Sequence, residues 1–148
     1  MKQRLTRYLL STVGAIALMA LGCAAGGTAF QPAEEIAEGK ALVYIYRPNS
    51  MIGGAIRYHV AAGDKRIVYV IRGGYYPYLA EPGETEFWAR TEGKASVTKD
   101  IEPGKTYYLR CTVTFGLAVG RPKLEFVGAE VGEKEVRKLK LLPKAEGT

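Results

Sequence analysis

Few side chains in this sequence are suited to covalent chemistry: two cysteines, one histidine and scattered hydroxyls. His59 stands in Arg57-Tyr58-His59-Val60, on the side of an extended run opposite Tyr58 and Val60. A nucleophilic relay through it needs Ser50 or Ser96, and Asp64 or Asp100, to converge on it from distant segments. The plainer reading is a solvated strand residue. Zinc asks for three or four Cys, His or carboxylate ligands, and only His59 and Cys111 supply soft donors. Calcium asks for a cluster of oxygen ligands, and no Asp-rich loop is present. Gly53-Gly54 and Gly73-Gly74 lack the following helix and the Gly-Lys-Ser/Thr ending of a phosphate loop, so they read as turns. The expectation is a chain with no catalytic residue, no metal and no cofactor, whose work is binding or structure.

Cys23 is the exception. Ahead of it lie a basic start (Lys2, Arg4, Arg7) and an apolar stretch from Leu9 to Leu21 broken only by Ser11, Thr12 and Gly14. That is the layout of an export signal, too short to cross a bilayer, which takes about 20 apolar residues. The run Met19-Ala20-Leu21-Gly22-Cys23 resembles the lipobox of bacterial lipoproteins, in which the thiol is acylated, the signal is cut and the new N-terminus is acylated too. Two or more acyl chains, at about 0.8 kcal/mol per buried methylene, hold a protein stably to a membrane. The competing reading is an ordinary secretory signal with an incidental cysteine. The resemblance implies residues 1–22 as a cleaved signal and Cys23 as the lipid attachment site. With Ala24 rather than aspartate after the cysteine, it also implies the outer membrane, periplasm-facing.

Removing the three basic residues of the signal lowers the net charge from +6 to +3, far from the dense basic footprint of a nucleic-acid binder. Cys111, left without a partner once Cys23 is blocked, shares the core side of its strand with Leu109, Val113 and Phe115 and reads as buried and inert. The remaining resource is aromatic, with nine tyrosines beyond the signal. Trp88 points outward if Phe87 and Ala89 point inward, and Tyr108 and Arg110 lie on the outward side of their own strand. Trp88, Tyr108 and Arg110 are therefore the candidate binding surface, able to stack on a sugar or seat a partner protein. The alternative is that the terminal helix or the N-terminal segment covers these rings.

The elements that must position these residues are strands. Residues 23–39 are small, polar and acidic without periodicity, and read as a flexible tether; residues 40–148 read as one domain. Runs of period two rich in β-branched and aromatic residues predict strands at Ala41 to Arg47, Ile56 to Ala62, Lys65 to Arg72, Tyr75 to Ala80, Thr85 to Thr91, Ser96 to Ile101, Thr106 to Phe115 and Lys123 to Val127. Gly63-Asp64 suits a two-residue hairpin turn with glycine first. Glu81-Pro82-Gly83 and Glu102-Pro103-Gly104 suit type II turns. Val136, Leu139 and Leu142 at three-residue intervals predict a short amphipathic helix over Glu133 to Leu142 that covers a sheet face or edge. Lys99, between Val97 and Ile101, reads as an inward-pointing guard on an edge strand. The architecture expected is an all-β, small antiparallel sandwich of transthyretin-like or immunoglobulin-like kind with one short C-terminal helix, a barrel being the second choice.

Ala41-Leu42-Val43-Tyr44-Ile45-Tyr46-Arg47-Pro48, Gly74-Tyr75-Tyr76-Pro77-Tyr78, Glu81-Pro82-Gly83, Pro103-Gly104-Lys105-Thr106-Tyr107-Tyr108-Leu109 and Leu139-Lys140-Leu141-Leu142 together resemble a bacterial exported family known as domain of unknown function 2846. The likeness spans Lys40 to Leu142. It implies a small exported β-sandwich, often on a lipoprotein, with no assigned reaction and no functional residues to carry over. The reading that follows is a lipid-anchored, non-catalytic envelope protein held to the membrane by its N-terminal lipid, whose domain binds an envelope protein or glycan and not nucleic acid. The alternatives are a structural subunit of an envelope or secretion assembly, or a periplasmic enzyme.

Overall fold

Strand β1 (Ala41–Arg47) is buried along its whole length, because both of its faces are covered. Val43 and Ile45 face the space between two sheets, whereas Leu42, Tyr44 and Tyr46 face a second apolar layer on the far side. The computed structural model, which describes residues 25–145, builds the rest around this strand. The other elements are β2 (Tyr58–Ala62), β3 (Lys65–Val70), β4 (Gly74–Ala80), β5 (Gly83–Arg90), β6 (Lys94–Ile101), β7 (Thr106–Thr114), β8 (Arg121–Val127), helix α1 (Ala129–Val136) and β9 (Lys140–Leu141).

The strands form a two-layer sandwich, with one sheet ordered β8-β7-β1-β4-β9 and the other β3-β2-β5-β6. The four-stranded sheet is antiparallel throughout. The five-stranded sheet is mixed rather than purely antiparallel, since β1 runs parallel to β7 and β4 parallel to β9. Phe87, Ala89, Val60, Val68 and Val70 from one sheet meet Val43, Ile45, Leu109 and Cys111 from the other. Cys111 is fully buried, and burial pushes its thiol well above the ordinary range, which leaves it unreactive.

The turns follow from local backbone demands. Gly63 has φ 53° and Asp64 has no positive φ, so Gly63-Asp64 closes the β2–β3 hairpin with glycine first, as the sequence predicts. Gly104 sits at φ 74° in the Pro103-Gly104 turn. Lys99 does point into the sandwich at its edge, with Nζ 5.6 Å from the Tyr107 ring centroid and 5.9 Å from that of Phe126.

Three expectations are corrected. The helix, expected over Glu133 to Leu142, runs Ala129–Val136, because Val136 and Leu139 serve the outer apolar layer whereas Leu142 turns into the space between the sheets. Their common interval is therefore not a helical period. Residues 25–39, expected to be a flexible tether, lie against the domain: Phe30 packs edge-on to Tyr44 and Tyr75, and the Ala33 N–H donates to the Tyr44 hydroxyl across 2.9 Å. Buried Ala25 and half-buried Phe30 hold the segment where its polar composition suggested freedom. Phe115, expected on the core side, falls just past the end of β7 and is 90% exposed.

Candidate functional site

The outward residues assigned to a binding surface are divided between two faces. Trp88 alternates with the buried Phe87 and Ala89, so it lies on the outer face of the four-stranded sheet. Tyr108 and Arg110 lie on the outer face of the five-stranded sheet, and α1 covers them. Tyr108 is only 8% exposed, stacks on Tyr44 at 5.5 Å between centroids, and is packed so closely by Gly132 that a Cβ there would stand 2.2 Å from its ring. Arg110 spans from β7 to α1, with Nη2 2.7 Å from Glu125 Oε1 and Nη1 3.2 Å from Glu135 Oε1. These two residues hold the helix to the sheet and present no surface continuous with Trp88. Cys23 lies outside the described residues.

Trp88 has other neighbours. Across β2, β3 and β5 the register pairs His59 with Tyr69, Ala61 with Trp88 and Ala61 with Arg66. Arg57 shares the parity of His59, and Arg90 follows Trp88 at the next outward position of β5. The side chains of Arg57, His59, Arg66, Tyr69, Trp88 and Arg90 thereby surround an open depression of about 300 Å³. Small Ala61 in the middle leaves the floor low. Among the described residues no carboxylate lines it.

The depression is cationic and partly preset. Trp88 Nε1 donates to the Gly63 carbonyl across 2.7 Å, which fixes the indole, and Lys94 Nζ stands 5.4 Å from the ring centroid. The His59 ring lies 4.6 Å from that of Tyr69. Burial first, and the Arg66 charge second, lower the His59 pKa, so the imidazole is neutral at neutral pH and the positive charge belongs to the arginines. The buried His59 Nδ1 has no hydrogen-bond partner among the described residues. Such a face offers flat rings for stacking and planar forks for a carboxylate or phosphate.

Arg57, Arg66, Tyr69 and Arg90 escaped the sequence reading. Their outward parity was available from each strand, and the Gly63-Asp64 hairpin pairs β2 with β3, but that β5 lies on the other side of β2 was not available.

A second depression, about 360 Å³, lies over the five-stranded sheet between residues 30–36 and α1. Its rings are engaged with one another: Tyr44 meets Phe30 and Tyr108, each at 5.5 Å. Among the described residues no cluster of three or more His, Cys, Asp or Glu could hold a metal ion, and no helix is long and apolar enough to cross a membrane.

A model of the family described as protein of unknown function (DUF2846) matches residues 37–123, from the approach to β1 into β8. The match contains every residue of the Trp88 depression and stops short of α1 and β9. An uncharacterized protein of Haemophilus influenzae is 30% identical over 105 residues, which cover 70% of this chain and 62% of that relative. The chain thus spans less than two thirds of the relative's length. No solved structure matches.

Proposed function

The chain belongs to the DUF2846 family, and from that premise we propose that it is a lipid-anchored, non-catalytic cell-envelope protein whose sandwich binds an anionic glycan of the envelope. The observation that carries the reading is the depression around Trp88. An indole and a phenol ring on the sheet, with Arg66 and Arg90 beside them and no carboxylate among the described lining residues, match a sugar ring bearing carboxylate or phosphate. Rigid strands set these groups in advance, so little ordering is required on binding. The basic, apolar and small-residue run ending at Cys23 supports the anchor, and confinement at a membrane raises the effective concentration of the domain near surface glycans, so weak contacts suffice.

Trp88 is the only tryptophan, so tryptophan emission, excited beyond the tyrosine absorption band, reports this face. Titration with charged peptidoglycan fragments or lipopolysaccharide core oligosaccharide is expected to change the emission saturably. Arg66→Ala is expected to weaken binding about 10- to 100-fold, by losing one charge-assisted contact of roughly 1.5–3 kcal/mol. Neutral oligosaccharides are expected to bind more weakly than charged ones. Emission unchanged by every charged glycan, or affinity indifferent to Arg66, would refute the reading. Cys23→Ala is expected to move the protein out of the membrane fraction.

A further inference from the structure

The large apolar side chains that the sandwich leaves exposed gather mainly at one end of it. Met51 and Ile52 occupy the loop between β1 and β2; Phe115, Leu117 and Val119 occupy the loop between β7 and β8. Phe115 and Leu117 are among the most exposed apolar residues described, Leu117 at 95%. Because β1 and β7 are parallel, both loops leave the sheet in the same direction. The two loops touch: Gly53 lies against Val113, and Gly120 against Ile56. The opposite end carries the Gly63-Asp64, Pro82-Gly83 and Pro103-Gly104 turns, with charged residues such as Asp64, Lys65, Glu81 and Lys105 exposed.

These loops are held in place rather than left to collapse. The Glu92 carboxylate accepts the N–H groups of Leu117 (2.9 Å), Ala118 (3.0 Å) and Val119 (3.3 Å), and Thr91 donates to the Gly120 carbonyl across 2.7 Å. The buried Arg47 guanidinium donates to the Ile56 carbonyl and, across 2.6 Å, to that of Gly53, which ties down the other loop. Both devices spend charged groups on presenting apolar tips to the outside.

The described chain also begins at this end. The Ala25 N–H donates to the Arg72 carbonyl across 3.2 Å, and Arg72 packs against Gly54 and Met51. Cys23 precedes Ala25 by two residues in the sequence. From Ala25 onward the chain is tied to the domain, by Ala25 at this end and by Phe30 and Ala33 on the outer face of the larger sheet.

We propose that this end of the sandwich is a membrane-contact face, on which Met51, Ile52, Phe115, Leu117 and Val119 enter the headgroup and acyl boundary of the bilayer that holds Cys23. The inference rests on the anchor proposed above. Interfacial apolar groups settle about 5–10 Å into that boundary, and basic residues at the rim, here Arg72 and Arg121, favour anionic lipid. The body then stands upright on the membrane, and the Trp88 depression faces sideways.

The test uses the full lipidated protein in vesicles of phosphatidylethanolamine and phosphatidylglycerol, with an environment-sensitive fluorophore on Leu117→Cys or, at the far end, on Asp64→Cys. Both sites are exposed, so folding is not at stake. The probe at position 117 is expected to shift to the blue and to be quenched by lipid-borne nitroxides; the probe at position 64 is expected to do neither. Equal quenching at the two sites in vesicle-bound protein overturns the contact face and leaves the anchor standing. A blue-shifted but unquenched probe at 117, with cross-linking into pairs, assigns the face to a second copy and also overturns it. Wild-type protein that fails to float with vesicles, or Cys23→Ala that floats as well as wild type, removes the anchor and this inference with it.

Discussion

The Tyr46 hydroxyl donates to Glu135 Oε2 across 2.5 Å, joining the central strand of the larger sheet to helix α1. Glu135 also takes Arg110, which in turn holds Glu125, and Lys123 completes the chain at 2.9 Å from Glu125. Burial foremost, and the Glu135 carboxylate after it, push the Tyr46 phenol far up, so it remains a donor at any physiological pH.

Glu135→Ala leaves the fully buried Tyr46 hydroxyl without an acceptor and Arg110 with one carboxylate fewer. An unsatisfied buried polar group costs about 1–3 kcal/mol, and urea unfolding is expected to show a loss of that size. Tyr46→Phe is expected to cost less, and the double variant less than the sum, because the two share one bond.

Gly132→Ala tests how closely α1 sits. A Cβ at 132 meets the Tyr108 ring at 2.2 Å, so the helix must shift, at about 1–3 kcal/mol. Gly128, with nothing within 4 Å of an added Cβ, is the control, and Gly128→Ala is expected to be nearly neutral by the same unfolding measurement.

Arg47, only 2% exposed, donates to backbone carbonyls of the β1–β2 loop, and its guanidinium carbon lies 5.7 Å from the Tyr58 ring centroid. Arg47→Met keeps the bulk and removes the donors. The loss of hydrogen bonds from a charged group is expected to cost about 1.5–3 kcal/mol and to make the loop at Met51 and Ile52 open to limited proteolysis.

The β7–β8 loop is expected to loosen in acid. The N–H groups of Ala118 and Val119, and then that of Leu117, hold the Glu92 carboxyl below its ordinary range, with Arg121 3.6 Å away adding to the effect. A depressed carboxylate pKa contributes stability that is present above the unfolded value, about 4.3, and is lost as pH falls through the folded one. Amide resonances of Leu117, Ala118 and Val119 are expected to titrate together with a midpoint below that value. In Glu92→Gln this shared titration is expected to vanish.

Much of the fold was legible because it is local. Strand alternation, the glycine φ values at Gly63 and Gly104, the inert Cys111 and the inward Lys99 follow from residue type and parity within one segment. The limits of β1 were read to the residue, Ala41–Arg47. The site was legible only in Trp88, since parity says that a side chain points outward and not whether another element lies over it. Tyr108 and Trp88 have the same signal, and α1 covers one of them.

Sequence by itself determined the two-sheet β architecture, its turns, and the poverty of nucleophiles and soft metal donors, all consequences of composition and of φ preferences that act over a few residues. Tertiary structure alone decided that β5 adjoins the β2–β3 hairpin, gathering Arg57, Arg66 and Tyr69 around Trp88. It also decided that Phe30 leaves the supposed tether for the ring cluster of Tyr44 and Tyr75, and that Leu142 leaves the supposed helix for the inner core. The reason is one of range: hydrogen-bond register and apolar burial between segments far apart in the chain depend on which surfaces meet, and no single segment carries that information.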